Sequence, residues 1–111
     1  MIRIIYTSVY LRSLKELPPD AKIEEAEREI AERPLKFPVI SGTGGARKAR
    51  VAIGNRGKRG GGRVIFVYVQ DNADIYLLEA YAKNQQEDLS SQDKKTLRIL
   101  VNKLREEGEN G

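Results

Sequence analysis

The stretch ARKARVAIGNRGKRGGGRVIFVYV, residues 46–69, holds seven Lys and Arg side chains and no Asp or Glu. Its first part, Ala46 to Ile53, alternates as a strand does. Gly54 to Gly62 is a glycine-rich loop, and Arg63 to Gln70 is a second strand with six consecutive apolar or aromatic residues, Val64 to Val69. Any fold for this chain must build a sheet around that pair and place the cations at its side.

The charge is local. The 111-residue chain has 20 basic and 16 acidic residues, and outside this stretch 13 basic face 16 acidic ones. A concentrated excess of this kind is the footprint of a polyanion-binding patch. A merely solvated loop is the alternative, although solubility alone would favour interspersed acids. The length fits one domain, residues 1–111, able to bury roughly two thirds of its unfolded surface. There is no Cys and no His. Disulfides, a cysteine nucleophile, the common zinc clusters and imidazole acid–base pairs are therefore excluded, and neither a metal nor another cofactor is expected. The N-terminus MIRIIYTSVY lacks an apolar core and cleavage site of the signal-peptide kind, and no run approaches ~18 apolar residues, so a cytoplasmic location is expected.

Met1 to Thr7 reads as a strand, with Ser8 as a helix cap. Tyr10, Leu14 and Leu17 recur at helical spacing up to Pro18-Pro19, and Pro19 suits the first turn of a second helix. That helix carries the stripe Ile23, Ala26, Ile30 and stops before Pro34. "VISGTGG" forms a turn. Asp71 to Ala73 makes another, and Asp74 to Ala82 is a third strand of the basic region's sheet. Ser90 to Asp93 fits a capping box ahead of a closing helix with Leu97, Leu100, Val101 and Leu104 on one face. The order β-α-α-β-β-β-α predicts an α+β domain, a twisted antiparallel sheet with an N-terminal helical hairpin and a C-terminal helix.

"GNRGKR" falls short of a Walker loop, with Ala52 where Gly is required and Arg59 where Ser or Thr is required. "GTGG" at 42–45 fits a turn better than a nucleotide cradle. Asp71, Asp74 and Glu79 do not make a two-metal carboxylate set. The strand period is more informative: Lys48 and Arg50 share a face at about 7 Å. With Arg63 on the neighbouring strand, three cations would converge on one phosphate, because guanidinium groups grip phosphate oxygens in a forked geometry. Basic strand ends that simply face solvent are the alternative. Tyr81 could stack on a base or pack half-buried, and Asn84 could contact RNA or only shape a turn.

The elements GTGGARKARVA, GKRGGGRVIFVYV and YLLEAYAKNQQEDLSSQDKKTLRILVNKL resemble the HigB-type branch of the RelE/ParE superfamily of bacterial type II toxins. The resemblance covers residues 35–107; the first third matches only in layout. It implies a small RelE-like domain that is a metal-independent endoribonuclease, an mRNA interferase that cuts mRNA on the ribosome and inhibits translation. It implies 2′,3′-cyclic phosphate and 5′-hydroxyl ends, formed when the 2′-hydroxyl attacks the adjacent phosphate. The implied partners are a cognate antitoxin, typically a helix-turn-helix DNA-binding protein, together with mRNA and the ribosome. By position Lys48 becomes the general base or proton relay, and Arg50 its companion at the scissile phosphate. Arg63 matches the group that stabilises phosphorane charge, and Lys83 the catalytic segment closing the last strand. Arg47, Lys58, Arg59, Tyr81 and Asn84 become RNA contacts. The chain departs from some relatives in having Asn84 where they carry Arg, and no Tyr after Tyr81. Two other functions fit the same patch: a ParE-like gyrase inhibitor, or a non-catalytic RNA- or ribosome-binding module.

Overall fold

The computed structural model describes residues 2–57, 61–83 and 89–110, with residues 56 and 108–110 described by backbone alone. Four strands form one sheet: β1 (Arg3–Tyr6), β2 (Arg47–Val51), β3 (Gly62–Val69) and β4 (Asp74–Ala82), in the order β1-β4-β3-β2. The expected α+β layout holds, with β2, β3 and β4 consecutive and antiparallel. One edge departs from expectation, because β1 lies parallel to β4. An ion pair pins its start: Arg3 donates from Nε and Nη2 to both oxygens of Asp74, each at 2.9 Å. Asp74 is 3% exposed and is the register partner of Arg3, so its carboxylate fixes the edge strand.

Helix α1 (Ser8–Leu14) is capped by Thr7 and not by Ser8. Thr7 Oγ1 accepts from the Tyr10 amide and donates to the Leu77 carbonyl, so one hydroxyl both starts the helix and anchors it to β4. Helix α2 spans Ile23–Glu32. It starts later than Pro19 predicts, because Ala21 bridges Ile53 and the Lys22 amide donates to the Ala52 carbonyl. Those bonds tie residues 21 and 22 to the chain just past β2 and keep them out of the helix. The helix ends where expected, with Arg33 at φ −144° before Pro34. Between β3 and β4 the chain turns through Ala73 in the left-handed region, at φ 56°.

The closing helix α3 (Ser91–Asn110) begins at the expected capping box: Ser90 Oγ accepts from the Asp93 amide, and Asp93 Oδ2 accepts from the Ser90 amide. The sheet separates two cores. On one face α1 and α2 bury Tyr10, Ala26 and Ile30 against Ala49, Val51, Val64, Phe66, Ile75 and Leu77. On the other, Leu97, Val101 and Leu104 of α3 pack on Ala46, Ile65, Val67 and Leu78. Leu100 stands clear of that core, 38% exposed. A register shift at Ile65/Phe66 leaves Leu78 as the extra residue of β4.

Candidate functional site

Register decides which cations share a face. Arg50 pairs with Arg63, which pairs with Tyr81; Lys48 pairs with Ile65, which pairs with Glu79. Residues directly opposite in an antiparallel sheet project to the same side. Lys48, Arg50 and Arg63 are therefore brought to one face, as the strand period predicts. Their environments differ. Arg63 is 6% exposed and donates from Nη1 to the Gly62 carbonyl at 2.8 Å, whereas Arg50 is exposed and Lys48 half-buried. Arg63 is held inside the sheet, while the other two look outward from its edge strand.

Glycine makes that arrangement possible. A Cβ on Gly61 would run into the Val51 carbonyl, and one on Gly62 would sit 2.6 Å from the Tyr81 carbonyl. The backbones of β2, β3 and β4 thus close up beside Arg63. Lys83, just past β4, donates its amide to the Gly61 carbonyl at 2.9 Å, which brings it to the same end of the sheet.

Two of the expected RNA contacts have partners within the fold. Tyr81 is 7% exposed and belongs to the core beneath α3, leaving too little ring for a base to stack on. Arg47 points to the opposite face, paired with Phe66, and donates from Nη1 to the Phe37 carbonyl at 2.6 Å. It ties down the loop before β2. Lys58, Arg59 and Asn84 lie outside the described residues. Glu79, on the Lys48–Ile65 rung, has its pKa raised, first by burial and then by the nearby Asp93 carboxylate. Among the described residues no three carboxylates gather to hold a metal ion.

The site extends beyond the sheet. Lys48 and Arg50 line a groove of about 450 Å³ together with Glu29, Lys36, Phe37 and Pro38. Sequence reasoning missed these four. Phe37 stands between two prolines at 34 and 38, outside any periodic segment, and nothing in its spacing places it beside β2. The link is made by the Lys48 amide donating to the Pro38 carbonyl at 3.1 Å, which lays the loop along the strand edge.

Residues 3–110 match the family described as the RelE toxin of the RelE/RelB toxin–antitoxin system. Three solved structures share the fold. A doubly substituted Escherichia coli toxin RelE in the free state aligns at TM-score 0.59 and 11% identity, over 88% of this chain and 97% of that one. The intact E. coli RelBE toxin–antitoxin complex aligns at TM-score 0.55 and 11% identity, over 72% of this chain and 94% of that one. The RelBE2 toxin–antitoxin complex of Mycobacterium tuberculosis aligns at TM-score 0.51 and 20% identity, over 73% and 96%.

Proposed function

Because the chain belongs to the RelE toxin family of type II toxin–antitoxin systems, we propose that it is an endoribonuclease that cuts mRNA on the ribosome and so stops translation. Its partner is a cognate antitoxin, which in the HigB-type branch would be a helix-turn-helix DNA-binding protein. The observation that carries the reading is the cross-strand pairing of Arg50 with Arg63, with Lys48 one rung away on the same face. A phosphodiester laid across that face at the β2 edge meets these three cations, with the Glu79 carboxylate two strands further in on the same face.

In the proposed reaction the 2′-oxygen attacks phosphorus, the bond to the 5′-oxygen breaks, and a 2′,3′-cyclic phosphate and a 5′-hydroxyl result. Lys48 takes or relays the 2′-hydroxyl proton. Lys83, at the same end of the sheet, supplies a proton to the departing 5′-oxygen. Arg50 holds the non-bridging oxygens, and Arg63 faces the charge that grows on them. A donor already fixed by its surroundings stabilises developing charge without reorganising, usually the largest catalytic contribution. The bond from Arg63 to Gly62 supplies that fixing.

The test is to map 5′ ends on programmed ribosomes treated with the purified chain, and to identify the 3′ ends. Cuts within the A-site codon ending in cyclic phosphate are expected. Intact mRNA, with trapped gyrase–DNA complexes in expressing cells, would replace this reading with the gyrase-inhibitor one.

A further inference from the structure

The groove beside Lys48 and Arg50 has the chemistry of a nucleotide pocket, and its volume falls in the ordinary range for small-ligand sites. Phe37 is half-buried, and its position is fixed. Its ring meets Phe66 edge-on at 5.7 Å and 87°, and its carbonyl accepts from Arg47. A ring held from behind by the core is a ready stacking platform. Lys36 Nζ lies 5.4 Å from the ring centroid and 3.6 Å from Glu29 Oε2. Its side chain is 52% exposed, so moving it aside costs little. The strand edge is also open here. The Lys48 amide bonds outward to Pro38, and the Ala52 carbonyl accepts from Lys22. By the alternation of antiparallel strands, the Arg50 backbone points outward between those two bonds.

We infer that this groove is a nucleotide subsite: one base of the bound RNA stacks on Phe37, its phosphate rests on Lys48 and Arg50, and the Glu29 carboxylate accepts from the base's exocyclic amino group. The inference rests on the endoribonuclease reading and adds a specificity to it. Adenine, cytosine and guanine each carry an exocyclic amino donor. Uracil instead presents two carbonyls flanking one N–H, and a carboxylate repels them. The subsite therefore disfavours uridine. The stacking role that Tyr81 cannot fill passes to Phe37, which sits across the β2 edge from the face that carries those cations and shares the edge groove with Lys48 and Arg50.

Stacking can be read without cleavage. Programmed ribosomes would carry a 2′-deoxy, uncleavable codon with 2-aminopurine at each position in turn. Wild-type protein is expected to quench the fluorophore at one position. Phe37→Leu should abolish that quench and weaken binding roughly 5–100-fold, the equivalent of one base–aromatic stack, while Phe37→Trp restores both. Rescue by Trp separates a lost platform from a damaged fold. Uridine at the quenched position should bind several-fold more weakly than the other three bases, and Glu29→Gln should erase that difference. An undiminished quench in Phe37→Leu, or equal binding of uridine by the wild type, would overturn the proposal. An all-ribose codon left uncut would sink the cleavage reading separately, with the quench still deciding the subsite.

Discussion

Ser13 shows how much can hang on one oxygen. Its hydroxyl donates to the Tyr10 carbonyl at 2.7 Å and accepts from the Ala80 amide at 2.9 Å. Ala80 is 3% exposed and lies two residues past the extra residue of β4. Ser13→Ala would leave that amide buried without its partner, and such a loss costs ~1–3 kcal/mol. We predict a fall of that size in unfolding free energy, read from denaturant midpoints at constant slope; a change near zero would show that Ala80 is satisfied by other means. Glu79 gives a second residue-scale prediction. Its pKa is raised by burial and by Asp93, so the folded state holds the proton into a pH range where the unfolded chain has released it. Stability is thus lost as pH climbs from the ordinary glutamate range through the raised value. Glu79→Gln removes that loss. The variant should melt above the wild type at neutral pH, with the gap closing below about pH 4. A gap that widens on acidification would contradict the burial argument. Neither role was legible in the sequence, where Ser13 is one polar residue on a short helix and Glu79 interrupts an apolar strand. Hydrogen bonds across ~70 residues of chain leave no local pattern. Lys48 and Arg50 were legible because their positions depend only on the strand period.

At the scale of elements, the periodic segments were the readable ones. Strand β4 has the predicted bounds, and the capping box at Ser90 opens α3 as its spacing required. What a strand pairs with was harder to read. Nothing in RIIY distinguishes a parallel edge from an antiparallel one, and the Arg3–Asp74 pair that pins its register joins residues 71 apart in the chain. The glycines before β3 were likewise visible as a loop and not as a packing device. Because a Cβ on Gly62 would press on the Tyr81 carbonyl, backbone must move to admit one. We predict that Gly62→Ala costs ~1–3 kcal/mol, typical of overpacking, and also lowers cleavage, because the strands that carry Arg63 and Lys83 are spread apart. Amide exchange across β3 and β4 would locate the damage. Unchanged protection at Arg63 and Ala82, with full activity, would show that the close approach is dispensable.

The whole molecule is electrically lopsided, and its two kinds of cation should separate experimentally. Residues 46–69 carry seven cations without an acid, while α2 exposes Glu24 and Glu25 beside Ala26, which packs into the core beneath β2. A polyanion approaching this surface is drawn to the β2 edge first and meets Arg50 and Lys48, the outward-facing pair. Each contact with a single-stranded phosphate releases counterions and contributes ~0.7 to the slope of log affinity against log salt. Lys48→Ala combined with Arg50→Ala should therefore flatten that slope by about 1.4, measured on uncleavable RNA across a salt series. Arg63 should behave otherwise. It is 6% exposed, so it recruits little RNA from solution, and its guanidinium is already oriented by the Gly62 carbonyl. Arg63→Ala should leave the salt slope in place while lowering the single-turnover cleavage rate at saturation by roughly 10²–10³, the cost of losing an oxyanion-type donor. An Arg63→Ala slope as flat as that of the double variant would mean that the buried arginine meets phosphate already in the ground state. The division between a recruiting edge and a catalytic interior would then be wrong.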